Sequence, residues 1–136
     1  MRIQIEIAPG ELIDRITILS IKLARIEDPD KLHHIRNELT TLTQSAHRMR
    51  GGLTMNDQAH KLIDLDRFTL EIKEANEKVW DVLQRQRELE RLDDFGQEFI
   101  EVSLAVYHIN DERAAGKRKI NELLNTDIAE VKSYPE

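Results

Sequence analysis

Along most of the chain the apolar residues fall three and four apart, the spacing of one face of an α-helix. The first series is Leu12, Ile16, Leu19, Leu23 and Ile26. It stops at Asp28-Pro29-Asp30, where a capping aspartate followed by proline at the first helical position ends one helix and begins the next. A strict seven-residue repeat follows, Leu32, Ile35, Leu39, Leu42, Ala46 and Met49, which lays a narrow seam along a second helix. Gly51-Gly52 is expected to end it. A third helix is expected to start near Thr54 to Asn56 and to run to about Leu92, with Leu65, Phe68, Ile72, Ala75, Val79, Val82, Gln86 and Leu89 on its seam. At roughly 1.5 Å per residue it would span about 50 Å, longer than a compact domain of this size is wide, so part of it should project or pair with another subunit. Glu74 with Lys78 and Asp81 with Arg85 stand at the i, i+4 spacing of stabilising surface pairs. Asp93-Asp94 is expected to cap a fourth helix with the seam Phe99, Val102, Val106, Ile109, Arg113, Gly116, Ile120 and Leu123, which Arg113 interrupts.

Two short segments follow a different rule. Ile3, Ile5 and Ile7 alternate with Arg2, Gln4 and Glu6, a strand pattern, and residues 128–135 are a β-prone stretch suited to pair with residues 2–7. The expected architecture is all-α: residues 1–136 form one helical domain, an antiparallel bundle of about four long helices, with a short N-terminal strand paired to a C-terminal strand.

Composition narrows the function classes. With no cysteine, the 136-residue chain can hold no disulfide scaffold, zinc ribbon or cysteine nucleophile. A formal charge of −6 argues against a general nucleic-acid binder, because neutralising phosphates needs a coherent basic face, and the only dense basic run is Lys117-Arg118-Lys119. No segment reaches the roughly 18 uninterrupted apolar residues of a membrane span, so no membrane insertion and a cytoplasmic location are expected. Five scattered glycines supply neither a phosphate loop nor a dinucleotide fingerprint. His33, His34, His47, His60 and His108 form no ligand pattern stronger than the loose Asp30-x-x-His33, so neither a metal nor another cofactor is expected.

One constellation is polar where a helix face should be bland. Asp14, Arg15, Ile18, Lys22 and Arg25 share the face of the first helix opposite its leucine stripe, and Ile18 and Ile21 make that face partly apolar. On the fourth helix Asn110, Arg113, Lys117 and Asn121 recur at spacings of three and four, beside Asp111; the third adds Asn76 and Trp80. Gathered in a bundle, these residues suit a pocket for a small anionic ligand. The competing reading is a set of ion pairs, such as Asp14 with Arg113 or Asp111 with Lys22, that fix helix register.

The run Pro9-Gly10-Glu11-Leu12-Ile13-Asp14-Arg15-Ile16-Thr17-Ile18-Leu19 with Lys22 and Arg25-Ile26, and the run from Tyr107 through Asn110-Asp111, Arg113-Ala114, Lys117 and Ile120-Asn121 to Lys132-Ser133-Tyr134, resemble an uncharacterised bacterial domain-of-unknown-function family. The likeness covers nearly the whole chain. It implies bacterial origin and a place beside glycosyltransferases and surface-polysaccharide genes, and it assigns no activity. Residues 12–25 also bear a remote likeness to the opening helix of the helical chorismate mutases, which implies a pocket using arginine and lysine against carboxylates; the arginine that should precede that run is missing. Two functions are therefore expected to compete. One is a non-enzymatic interaction or scaffold protein, a homo-oligomer with a protein partner in envelope-polysaccharide metabolism. The other is a small-anion-binding protein or enzyme built on Arg15, Lys22, Arg113 and Lys117.

Overall fold

The computed structural model describes residues 1–126. Four helices carry the fold: α1 (Pro9–Arg25), α2 (Pro29–Met55), α3 (Leu62–Arg91) and α4 (Gln97–Leu123), with a single 3-10 turn, Ala59–Lys61, ahead of α3. No strand is present among the described residues. Residues 2–7 alternate as a strand should, yet they pair with nothing regular, and Ile3 and Ile5 are exposed. The expected partner strand, 128–135, lies outside the described residues.

α3 and α4 form an antiparallel hairpin, in register from Lys119–Glu71 at one end to Arg85–Glu98 at the other. α1 lies against both. It runs antiparallel to α4, matching Gly10 to Asn121 and Asp14 to Arg113, and parallel to α3, matching Asp14 to Asn76 and Arg25 to Asp81. α2 folds back along α1. Its seven-residue seam is only half-buried apart from Ile35, and at Met49 and Leu53 it leans on the core. That core, Ile13, Leu65, Ile72 and Ile120, lies where the start of α1, the start of α3 and the end of α4 converge. Each such side chain removed from water contributes roughly 1.5–3 kcal/mol.

Two glycines set how closely the helices approach. A Cβ on Gly10 would stand 2.4 Å from the carbonyl oxygen of Lys117, and one on Gly116 would stand 2.6 Å from Cγ1 of Ile72. Only hydrogen fits at either crossing.

The helix ends differ from expectation at instructive places. Asp28 does cap α2, accepting the backbone N–H groups of Asp30 and Lys31. Gly51 and Gly52 do not end that helix, which runs on to Met55 and closes at Asn56, with Asp57 in the left-handed region at φ 57°. α3 therefore begins at Leu62 rather than near Thr54 to Asn56. Asp93, at φ 53°, closes α3, and Asp94 accepts the N–H of Gly96, the true capping position of α4. Lys78 and Arg85 also choose other partners: Lys78 meets Glu112, and Arg85 meets Glu98 and Glu88, while Asp81 takes Arg25. No described helix is long and apolar enough to cross a membrane.

Candidate functional site

α1 starts on the capping carbonyl of Ala8 with Pro9 in the first turn, which leaves the Gly10 N–H without a partner inside the helix. Asn121 of α4 supplies it: the Asn121 side-chain oxygen accepts that N–H at 2.8 Å, in a buried position. At the next residue, Glu11 receives Arg15 at 3.0 Å and Lys117 at 3.2 Å. Burial alone would push the Glu11 carboxyl up, but hydrogen bonds from Arg15 and Lys117, together with their charges, outweigh it and hold the group below its ordinary 4.5.

The next turn carries the most buried charge. Asp14 is 3% exposed and accepts two bonds from the Arg113 guanidinium, at 2.8 and 3.4 Å, and one from the Asn76 amide at 2.9 Å. The same amide donates to the Thr17 hydroxyl at 2.8 Å, and that hydroxyl donates to the Asp14 backbone oxygen. Asn110 accepts the remaining Arg113 arm at 2.9 Å. No buried side-chain nitrogen or oxygen among the described residues lacks a hydrogen-bond partner. Arg113 can thus break the apolar seam of α4 because α1 presents a buried carboxylate opposite it.

Beyond this node α1 and α3 diverge into a cleft of about 270 Å³. Ile18, Ile21, Val79 and Leu83 give it an apolar floor; Trp80 walls it, and Lys22, Gln84, Arg87 and Arg113 edge it. Arg25 lies over the Trp80 ring at 5.9 Å and pairs with Asp81.

The structure sorts the expected site residues into neighbouring groups. Asp14, Asn76, Arg113 and Asn110 meet in the node; Arg15 and Lys117 meet at Glu11; Lys22, Trp80, Asn76 and Arg113 line the cleft, with Arg25 beside it; and Asn121 caps α1. Asp111 is half-buried on α4. The four cations Arg15, Lys22, Arg113 and Lys117 do not converge on one point, and Lys22 makes no ion pair with Asp111 among the described residues. Sequence reasoning missed Arg87 and Gln84, two residues that look like ordinary surface positions, and Glu11, which looks like a first-turn acid. The only available signal was spacing, since Trp80, Gln84 and Arg87 stand four and three apart on one face of α3. Among the described residues no three histidines or acids gather as metal ligands.

A different surface lies further out. Past Asp81, where α1 ends at Arg25, α3 continues for about 15 Å to Arg91 and α4 returns from Gln97. In this distal hairpin Leu89 is buried, Gln86 donates to Ser103, and Arg85 grips Glu98 through two nitrogens. On the outer face of α4, Ile100, Leu104 and Tyr107 are 49%, 55% and 48% exposed, with Leu92 and Phe95 exposed at the hairpin tip.

Neither a curated protein nor a solved structure matches the chain. A family model does, over residues 3–136, and the match takes in both terminal motifs and every helix described above. The chain belongs to that family, described as a family of unknown function, DUF6165.

Proposed function

We propose that the protein is a helical interaction module rather than an enzyme, and that it assembles with a second copy of itself through the outer face of the α3–α4 hairpin. The observation that carries this reading is the Ile100-Leu104-Tyr107 stripe, about half exposed and spaced four and three along one face. A two-helix hairpin buries one face of each helix and leaves the other wet. Apolar residues at helical spacing on the wet face are a surface that gains by being covered. Because the stripe is predominantly apolar and carries no charge, it is complementary to itself, as a twofold interface requires. The inner polar groups support a non-catalytic role, since Asp14, Thr17, Asn76 and Arg113 spend their hydrogen bonds on one another.

In this reading residues 1–136 act as one domain in a bacterial cytoplasm, and the dimer offers α2 to a protein partner in envelope-polysaccharide metabolism. Light scattering at high micromolar concentration tests the assembly. A dimer or larger species is expected, and Leu104→Glu should return it to monomers with unchanged helical circular dichroism. A wild-type mass that stays at 15.9 kDa would overturn the proposal.

A further inference from the structure

The cleft between α1 and α3 stands apart from that assembly surface, and its charge is not balanced. Lys22 and Arg87 edge it from opposite helices, and neither side chain makes a hydrogen bond or ion pair among the described residues. The third cation, Arg113, is bound to Asp14. Of the acids along α3 near Arg87, Asp81 and Glu88, which share its surface, are engaged by Arg25 and Arg85, and Glu90 makes no ion pair with it. Two uncommitted positive charges therefore border a hydrocarbon floor in a chain whose formal charge is −6. Low-dielectric walls strengthen the attraction of such cations for an anion. The floor excludes a polar ligand such as a free sugar, whose hydroxyls would lose water and gain no partner. With about 270 Å³ of space, just below the roughly 300 Å³ at which small-molecule clefts usually begin, one ring or a short alkyl chain fills it.

The geometry points to a binding site for a small amphipathic anion, a ring or short alkyl body with a single carboxylate or phosphate head. The body lies on Ile21, Val79 and Leu83 against Trp80, and the head meets Lys22 and Arg87. Gln84 stands at the same edge as a neutral donor. Arg113 stays with Asp14 and closes the inner end, so the site can fill without breaking the node.

Trp80 is the only tryptophan in the chain, so its fluorescence reports from the cleft itself. Hexyl phosphate and heptanoate, neither of which absorbs where Trp80 is excited, are titrated into the full chain, with hexanol and inorganic phosphate as controls. Saturable shifts with one or both amphiphiles at millimolar concentration or below, and none with either control, are expected; which head binds more tightly separates phosphate from carboxylate sources. Lys22→Met and Arg87→Met keep much of the apolar stem and remove the charge. Each should weaken binding about tenfold while leaving the apo melting temperature and emission maximum in place. The proposal is overturned if neither amphiphile perturbs Trp80, if hexanol or inorganic phosphate does so equally, or if the folded variants bind as the wild type does.

Discussion

Replacing Arg113 with methionine isolates the energetics of the node. In the native fold its guanidinium donates twice to Asp14, whose side chain is only 4% exposed, while that of Arg113 is 23% exposed. Removing one partner of a buried pair costs about 3–5 kcal/mol, because the other charge is left in a poor medium. Asn76 still donates to Asp14 after the change, and the open side of Arg113 admits some water, so the loss belongs at the low end, about 3 kcal/mol. For a chain of this size that corresponds to a melting temperature lower by roughly 10 °C. Urea unfolding followed by helical circular dichroism measures it directly. Asp14→Asn keeps the shape and the acceptor for Asn76 while removing the charge, so Arg113→Met made on that background should cost far less than on the wild type. A coupling of about 2 kcal/mol between the two positions is expected. If Arg113→Met changes stability by less than about 0.5 kcal/mol, or if the two substitutions simply add, Arg113 reaches solvent and the node is not a structural pair.

Further outcomes follow from single positions. Gly10→Ala should destabilise by about 2–3 kcal/mol in the same assay, because its Cβ meets a backbone carbonyl that cannot turn aside. Gly51→Ala and Gly52→Ala should each stabilise by about 0.5–1 kcal/mol, since both sites are helical, have open space at Cβ and have negative φ; a loss would mean the helix does not pass through them. The Glu11 carboxyl titrates lower in the fold than its ordinary 4.5, so its contribution is complete above that pH and disappears as pH falls through the lowered folded value. Glu11→Gln should accordingly flatten the stability curve below about pH 4.5 and lower stability at pH 7, as read from melting temperature against pH.

The helices of the fold could be read from the sequence wherever two periodic signals agreed. The Leu12 to Ile26 series and the Asp28-Pro29 cap placed α1 and the start of α2 correctly, because one signal fixed the face and the other the end. The glycine pair failed as a stop because glycine costs a helix only about 1 kcal/mol per residue, which packing of Met49 and Leu53 on the core exceeds. Ile3, Ile5 and Ile7 failed as a strand because alternation shows which face would be buried without providing a partner to bury it. Arg113 could be read as needing an acid, and Asp14 as the acid to supply it. Arg87 shared only a helix face with Trp80, and spacing alone does not separate a surface arginine from a cleft arginine, which differ in the acids their neighbours have already taken.

The bonds that fix α1 are among the longest in the chain by sequence. Gly10 reaches Asn121 across 111 residues, Glu11 reaches Lys117 across 106, and Asp14 reaches Arg113 across 99. The α3–α4 hairpin closes over a short loop and needs only its own residues, whereas α1, once α2 has folded back along it, still needs partners about a hundred residues further on. α1 is therefore fixed in place only once α3 and α4 are both present. Until Arg113 has been made, Asp14 must stay hydrated and the Leu12-Ile13 face has no complete core to join. Docking of α1 on the hairpin thus requires a complete α4, and a chain that stops before that point leaves the face of α1 that meets α3 and α4 without cover.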